Sequence, residues 1–357
     1  MKTQTRKKEL RIIGIALAVI IFILAVAFGV WNKEVRSLMT LKQVDDHPLY
    51  QMTYIGDYGF DEFLKTGAES DGDIEKFVTK RLLKGLPIKL GVTGDACTAF
   101  VTRNEDGDVI FCRNFDFGFS PALQCATDPD NGYSSISTVN LSYAGYSEDD
   151  LPDSISSSFL TLASPFLPFD GMNEKAVAMA LLAVPEYDYQ TDPDKVTLNT
   201  TTAIRLVLDK AANVDEAVEL LKQYNIYFSG DVDCHFLIAD ASGKSVIVEY
   251  YDGKLQTVTT DEKYQIASNF VAYNGLNIGE GYTEFDRYDT VKAVIEENGG
   301  TLSEEQAIEL LAEVGVVDEG VDKLQWSVIY NLTTGEGKIF AHRKTENIIE
   351  FSLKMAQ

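Results

Sequence analysis

Cys97 and Arg113 are two residues of this 357-residue sequence whose types and spacing could support nucleophilic chemistry. The small residue Ala96 precedes Cys97, and Arg113 follows sixteen positions later in a Cys-Arg-Asn-Phe-Asp run that ends at Asp116. A guanidinium beside a thiol lowers the thiol pKa and increases the fraction of reactive thiolate. A single cysteine at the start of a strand is more often a small core residue. Chemistry at Cys97 therefore requires an element that brings these residues together.

A β-hairpin is the predicted element. Apolar runs lie on both sides of residues 104–107, and an Asp-Gly pair between two such runs is a strong hairpin signal. Because the strands of a hairpin lie side by side, Arg113 and Asp116 return to the start of the first strand. We therefore expect Cys97, Arg113 and Asp116 to lie close to one another.

The other reactive residue types form no recognisable site. The sequence contains no Gly-x-Ser-x-Gly, P-loop or Gly-x-Gly-x-x-Gly string, so it lacks the motifs of serine hydrolases and of nucleotide binders. It has three histidines and no Cys-x-x-Cys pair, which argues against a structural zinc site. A calcium-like segment begins at Asp128, but its twelfth position is Val139 instead of Glu. We expect neither a metal ion nor a cofactor.

Charge and cysteine usage narrow the class of protein further. Lys and Arg total 31 against 55 Asp and Glu, for a formal net charge of -24. A nucleic-acid binder needs a basic surface that displaces counterions, so nucleic acid is not an expected partner. The four cysteines leave two disulfides as one option, although their sparse spacing is unlike that of a disulfide scaffold.

The N-terminus is predicted to be a membrane anchor. Residues 12–31 carry no charge and are almost entirely apolar. This run of 20 residues has the length that an α-helix needs to cross a bilayer. Four basic residues between Arg6 and Arg11 precede this run, so the positive-inside rule places the tail in the cytoplasm and the remaining chain outside. A signal peptide cleaved near Ala27, giving a secreted protein, is the alternative. The apolar run continues to Trp31, which favours an uncleaved anchor.

The rest of the chain predicts an α+β fold with antiparallel sheets. Besides the hairpin after Cys97, apolar runs flank short turns twice more, which predicts two further hairpins. Hairpins grouped around helix pairs are typical of layered α+β domains. The further hairpins pair residues 235–239 with 245–250 and residues 327–332 with 338–342. The predicted helices are 73–86, 202–212, 213–224, 285–298 and one that begins at the capping box of Ser303.

From Cys97 onward the sequence resembles the choloylglycine hydrolase and penicillin V acylase family. The resemblance rests on Cys97, Arg113 and Asp116, on the Gly-Met-Asn-Glu-Lys string of residues 171–175, on Ser-Asn-Phe at 268–270, and on Arg287 near the start of a helix. Members of this family are N-terminal nucleophile hydrolases that cleave linear amides. The resemblance implies a four-layer αββα sandwich.

The resemblance also implies a mechanism. The Cys97 thiol would attack an amide carbonyl, with its own α-amino group as the base at an intrinsic pKa of about 7.7 to 8.0. Water would then hydrolyse the thioester. The resemblance also implies roles for the other residues. Arg113 would stabilise the thiolate, and Asp116 would bind the amino group. Asn173 and Asn269 would donate hydrogen bonds to the oxyanion, and Arg287 would help set the charge of the site.

The 96 residues ahead of the nucleophile set a condition, because an internal Cys97 has no free amino group. We expect cleavage after Ala96, which divides the chain into a basic tail and membrane helix (1–31), a prosegment or linker (32–96) and a catalytic domain (97–357). The expected partners are an N-acyl amide and the membrane, and homo-oligomerisation stays open. Two alternatives remain, namely acyl transfer as in the isopenicillin N acyltransferase-like group, and a surface-tethered binding protein without catalysis.

Overall fold

The computed structural model of the protein describes residues 13–15, 29, 31–91, 96–154, 156–279 and 282–356. The strands are β1 (Lys42–Asp45), β2 (Leu49–Thr53), β3 (Ala96–Arg103), β4 (Val109–Asp116), β5 (Ala122–Thr127), β6 (Ser135–Asn140), β7 (Pro168–Asn173), β8 (Val177–Ala183), β9 (Thr197–Asn199), β10 (Asn225–Tyr227), β11 (Cys234–Asp240), β12 (Ser245–Tyr251), β13 (Lys254–Val258), β14 (Gln265–Ala267), β15 (Phe270–Val271), β16 (Ile278–Gly279), β17 (Val317–Asp318), β18 (Val321–Asp322), β19 (Leu324–Asn331), β20 (Glu336–Ala341) and β21 (Ile349–Ser352). The helices are α1 (residues 31–38), α2 (Phe60–Phe63), α3 (Asp71–Arg81), α4 (Thr200–Lys210), α5 (Val214–Leu221), α6 (Tyr282–Glu297) and α7 (Glu304–Val314), with 3-10 segments at Ser157–Phe166, Ser229–Asp231 and Tyr273–Gly275.

Two β-sheets lie face to face between two layers of helices. The nine-stranded sheet has the order β1-β2-β5-β6-β7-β8-β11-β12-β13, and the six-stranded sheet has the order β14-β3-β4-β19-β20-β21. Strand β3 contacts β8 and β11, which joins the two sheets; α4 and α5 pack on the larger sheet, and α6 and α7 on the smaller one. The α+β prediction is confirmed, and the layer order of helix, sheet, sheet and helix agrees with the sandwich that the resemblance implies.

Close packing in the centre of the smaller sheet makes a rigid platform. The rings of Phe115 on β4 and Trp326 on β19 stack with centroids 4.2 Å apart, and both side chains are fully buried. On the opposite face, Phe100 packs in a second core with Val291 and Leu311 from the covering helices. Cores of this density resist displacement of their strands. Residues at the start of β3 and the end of β4 are therefore held by packing on both faces.

The predicted hairpins and helices are confirmed, with differences at their ends. The hairpins are β3–β4, β11–β12 and β19–β20. Helix α3 ends at Arg81 instead of residue 86, because Lys84 and Gly85 adopt φ angles of 50° and 101°, outside the right-handed helical region. The capping box is present before α7, where the Ser303 side chain accepts from the Gln306 N–H and Gln306 accepts from the Ser303 N–H.

Residues 31–91 are packed into the same fold as the residues that follow Cys97. Strand β2 pairs in parallel with β5, so β1 and β2 extend the larger sheet at its edge. The buried Tyr58 hydroxyl donates to Asp209 Oδ1 at 2.6 Å, and the Tyr227 hydroxyl donates to Asp71 Oδ1 at 3.0 Å. The described part of the expected prosegment is therefore a component of the sheet instead of a linker.

The predicted membrane helix at residues 12–31 lies almost entirely outside the described residues. Within the ranges that the structure does describe, no helix is long and apolar enough to cross a membrane. The anchor therefore stays a prediction from the sequence.

Candidate active site

The β3–β4 hairpin places the reactive residues side by side. In its register Ala99 lies opposite Arg113, Cys97 opposite Phe115 and Ala96 opposite Asp116. The side chains of Cys97, Arg113 and Asp116 are buried, with Cys97 only 2% exposed. The hairpin therefore brings the three residues together as the turn signal predicts.

The Arg113 guanidinium lies beside the thiol and is held from the opposite side. Its Nη2 donates to Cys97 Sγ at 3.6 Å and to the Leu181 carbonyl at 3.1 Å, while its Nη1 donates to Asp170 Oδ2 at 2.9 Å. Arg113 and Asp170 are both fully buried. A buried charge of this kind requires a partner, so Asp170 fixes the position of the group that contacts the thiol.

Asp170 is a functional residue that the sequence reasoning missed. Its carboxylate also accepts from Trp326 Nε1 at 3.2 Å and from the Tyr330 hydroxyl at 2.6 Å, so three donors converge on it. Asp170 directly precedes the Gly-Met-Asn-Glu-Lys string, whose prominent residue is Asn173. The signal that could have found it is an acidic residue in a strand of otherwise buried residues, because such a charge needs a cationic partner.

The backbone of Cys97 is held by two further side chains. Its N–H donates to Asn269 Oδ1 at 2.7 Å, and its carbonyl accepts from Arg287 Nη1 at 2.8 Å. Arg287 Nη2 also donates to Asn269 Oδ1 at 2.8 Å, which links the two residues. Asn269 in turn donates through Nδ2 to the Ala183 carbonyl at 2.7 Å. Asn269 and Arg287, which the resemblance placed in the site by their order in the chain, thus lie against Cys97.

Asp116 presents one unsatisfied oxygen near the nucleophile. Its Oδ1 accepts from the Val316 N–H at 2.7 Å, whereas Oδ2 is buried without a hydrogen bond and lies 4.0 Å from Arg287 Nη1. Burial raises the pKa of Asp116 from its ordinary value to about 6, against the opposing effect of Arg287. The site therefore offers an acceptor for an additional proton donor.

Burial, and not the neighbouring guanidinium, decides the direction of the Cys97 pKa in the uncut chain. Burial raises that pKa, whereas the charge of Arg113, the charge of Arg287 and a hydrogen bond from the Ala183 backbone all oppose the rise. The expectation that Arg113 lowers the thiol pKa identifies one contribution but not the net direction.

The other three cysteines lack this environment. All four cysteines are free and buried, so the two-disulfide option is wrong. Burial raises the pKa of all four thiols, to about 12 for Cys125 and well above the ordinary value for Cys112 and Cys234. What distinguishes Cys97 is the guanidinium that donates to its sulfur at 3.6 Å, because a neighbouring cation favours the reactive thiolate. Cys97 is therefore the cysteine whose surroundings fit nucleophilic chemistry.

Asn173 is not brought to this group. Its Nδ2 donates to the carbonyls of Leu208 and Ala211, at 3.0 and 2.8 Å, and its Oδ1 accepts from the N–H groups of Lys175 and Val177. An amide nitrogen carries two hydrogens, so both are already used. Asn173 ties the β7–β8 turn to α4, and the structure does not support the oxyanion role that the resemblance implied for it.

Comparison with known proteins places the chain in a family. Residues 97–298 match the family model for linear amide C-N hydrolases, choloylglycine hydrolase family. The chain is 37% identical over 111 residues to penicillin V acylase of Pectobacterium atrosepticum, covering 28% of this chain and 29% of that protein. It is 30% identical over 176 residues to the bile salt hydrolase/transferase of Clostridium perfringens, covering 44% of this chain and 49% of that protein. The matches thus span half or less of these curated relatives.

Solved structures share the fold at lower sequence identity. A mutant of conjugated bile acid hydrolase from Clostridium perfringens superposes with a TM-score of 0.51 at 18% identity, covering 72% of this chain and 92% of that one. Penicillin V acylase from Agrobacterium tumefaciens gives a TM-score of 0.50 at 20% identity, covering 72% and 86%.

The fold shared with these structures and the match of the family model together identify the class of the protein. The chain belongs to the choloylglycine hydrolase family of linear amide C-N hydrolases, whose model covers more than half of its length and begins at Cys97.

Proposed function

We propose that this protein is a cysteine-nucleophile amidohydrolase that cleaves the C–N bond of a linear N-acyl amide. One observation carries the proposal, namely that the side chains of Arg113, Asn269 and Arg287 converge on the thiol, the amide nitrogen and the carbonyl of one residue, Cys97. A structural cysteine has no need of such surroundings. Membership of the family supports the same reaction.

Cleavage of the Ala96–Cys97 bond is the activating step of this proposal. The Cys97 nitrogen already lies 2.7 Å from Asn269 Oδ1, and its strand neighbour Ala96 pairs with Asp116, whose Oδ2 has no hydrogen bond. A released α-amino group gains protons that these two acceptors can bind. With an intrinsic pKa of about 7.7 to 8.0, that amino group is suited to proton transfer at neutral pH.

The reaction then runs through a thioester. The α-amino group takes the thiol proton while Cys97 Sγ bonds to the acyl carbon, and the proton passes to the departing amine as the C–N bond breaks. Water attacks the thioester with the amino group again as base, which releases a carboxylic acid and restores the thiol. No metal or cofactor is required by these steps.

Ala183 and Asn269 are the proposed oxyanion donors, in place of Asn173. A hydrogen bond from the Ala183 backbone is one of the effects that oppose the rise in the Cys97 pKa, which supports a position of its N–H beside the reacting sulfur. Asn269 Nδ2 donates to the Ala183 carbonyl and retains one further hydrogen. Loss of one oxyanion donor typically raises the barrier by about 2.7 to 4 kcal/mol.

The substrate class follows from the family and from the names of the relatives. The relatives are named for penicillin V and for bile salts, and the family for linear amides, so we propose an N-acyl amide as substrate. One relative is named hydrolase/transferase, which favours transfer of the acyl group to an amine as a second candidate reaction. Assaying with and without an added free amine distinguishes the two reactions by their products.

We also propose that the apolar run at residues 12–31 anchors the protein in the cell membrane, with the catalytic domain on the outer side.

To test the function, amine release from a panel of N-acyl amides is measured for wild type and for the Cys97→Ala variant. A matched control is Cys112→Ala, which removes another fully buried thiol of the same hairpin. We expect wild type and Cys112→Ala to be cleaved after Ala96 and to release amine, and Cys97→Ala to do neither. Hydrolysis retained by Cys97→Ala would refute the proposal.

A further inference from the structure

Helix α1 buries two of its polar residues, and the turn after it exposes an apolar one. Glu34 and Ser37 are buried, where Glu34 pairs with Lys84 at 3.0 Å and Ser37 Oγ accepts from the Ile55 N–H at 2.8 Å. Met39, on the outer side, is 79% exposed. Lys33 and Arg36 are exposed on the same helix. The surface here therefore combines an exposed apolar side chain with neighbouring cations.

Helix α1 and the turn after it form one wall of a groove. Val35, Leu38 and Met39 line it on one side and Pro152 and Phe159 on the other, around a cavity of about 250 Å³. Six of the nine lining residues are aliphatic or aromatic, and Asp153, Ser154 and Ser158 supply a polar rim. The apolar part would be unfavourable to leave in water.

The chain that precedes the groove identifies its surroundings. Trp31 is the last residue of the apolar run at 12–31, and its ring packs edge-on against Phe159 with centroids 5.6 Å apart. Tryptophan favours the interface between membrane and water. Val35 follows Trp31 by four residues of α1, which is about 6 Å of helix, and Met39 lies in the turn directly after α1. An anchor at 12–31 thus holds the groove at the bilayer surface without an intervening linker.

Charge at this surface points to anionic lipid. Lys33, Arg36 and Lys42 are all exposed on α1 and the start of β1. Within the described part of the chain none of the three forms an ion pair, although the protein as a whole carries a formal net charge of -24. Exposed cations beside an apolar face are typical of surfaces that bind anionic bilayers.

We infer that the groove between α1 and the 3-10 segment Ser157–Phe166 is a membrane-docking surface, occupied by acyl chains of the anionic bilayer that holds the anchor. Headgroups of that bilayer meet the three exposed cations. The inference rests on the proposed anchor and adds to it a fixed orientation: the catalytic domain lies against the lipid by the face that contains Met39.

A fluorescent probe at Met39 tests the inference in the full chain. Because the native cysteines are buried, Met39→Cys in a Cys97→Ala background accepts one environment-sensitive label. Val321→Cys, at an exposed valine of β18 outside the groove, is the matched control. Both chains are placed in nanodiscs of phosphatidylethanolamine and phosphatidylglycerol, with and without doxyl-labelled lipid as quencher.

We expect the probe at position 39 to shift to the blue and lose more than about half of its emission to the quencher, as for a group at the acyl boundary, while the probe at 321 changes little. Quenching should weaken when phosphatidylcholine replaces phosphatidylglycerol. A chain that enters nanodiscs but shows no selective quenching at 39 overturns the docking surface and leaves the anchor intact, whereas a chain that fails to enter them overturns both. A blue shift that depends on protein concentration and not on quencher lipid assigns the groove to a second copy of the chain, which also overturns the inference.

Discussion

Asp170→Asn should show how the position of the Arg113 guanidinium affects the thiol, because the substitution keeps Arg113 but removes the carboxylate that holds it. The carboxylate of Asp170 receives three donors, namely Arg113 Nη1 at 2.9 Å, Trp326 Nε1 at 3.2 Å and the Tyr330 hydroxyl at 2.6 Å. Asparagine keeps the shape but removes the charge, and its NH₂ group faces donors in place of an acceptor. Arg113 stays charged and fully buried, without its counter-ion.

The size of the effect follows from the burial. Removing one partner of a buried ion pair typically costs about 3 to 5 kcal/mol of folding free energy. Since a large domain shifts by about 2 °C per kcal/mol, the melting temperature should fall by about 6 to 10 °C. Arg113 also lowers the pKa of Cys97. A displaced guanidinium should therefore make the thiol less reactive at a given pH.

Denaturant unfolding and the pH profile of iodoacetamide alkylation at Cys97 measure the two effects. Tyr330→Phe is the control, because it removes one donor to Asp170 and leaves the ion pair, at a cost of about 1.5 to 3 kcal/mol. We expect the alkylation profile to move to higher pH in Asp170→Asn and to stay unchanged in Tyr330→Phe. An Asp170→Asn protein with wild-type stability and a wild-type alkylation profile would show that Asp170 does not position Arg113.

Three further predictions concern stability and processing. Burial raises the pKa of Asp116 from 3.8 to about 6, so the folded uncut chain binds that proton more tightly than the unfolded chain, and the free energy of unfolding falls as pH rises through that interval. In uncut protein the free energy of unfolding of Asp116→Asn, measured relative to wild type, should therefore increase by up to about 3 kcal/mol between pH 4 and pH 7. Tyr58→Phe should destabilise the fold by about 1 to 3 kcal/mol in denaturant titrations, because it leaves the buried Asp209 with one donor fewer. After cleavage before Cys97, the fragment containing residues 31–91 should co-elute with the larger fragment in size-exclusion chromatography, because it supplies two strands to the nine-stranded sheet.

Each of these predictions has a contrary result. An Asp116→Asn stability difference that does not change with pH would mean that the carboxyl is not perturbed by burial. If Tyr58→Phe unfolds at the same denaturant concentration as wild type, the Tyr58 hydroxyl does not contribute to stability. Separation of the two fragments under native conditions would show that the N-terminal strands leave the sheet once the chain is cut.

The local elements of the site were predictable from sequence because short-range signals encode them. The Asp-Gly turn produces the hairpin that pairs β3 with β4, and the register of that hairpin brings Arg113 and Asp116 to Cys97. Helix starts were predictable for the same reason, since the capping box at Ser303 satisfies the first N–H groups of α7 within four residues. Asn269 needed the family resemblance, because no local pattern connects β14 to the nucleophile.

Contacts between distant parts of the chain could not be predicted in this way. The partners of Asp170 come from β4 and β19, and only the stacking of the two sheets brings them together. The same holds for Asn173, whose amide is used by the carbonyls of α4 and the residue after it. The packing of the expected prosegment or linker at 32–96 is a further case, because β2 pairs with β5 across more than 70 residues of sequence and no local signal connects the two strands.

The identity of the first residue in catalytically active chains tests the central claim most directly. Active protein is labelled with iodoacetamide until amide hydrolysis stops, and the labelled fragments are identified by N-terminal sequencing and intact mass. We predict that the label lies on a fragment whose first residue is Cys97, and that uncut chains neither hydrolyse amides nor take up label at the same rate. Full activity in protein whose Ala96–Cys97 bond is intact would contradict the account, because the nucleophile would then act without the α-amino base.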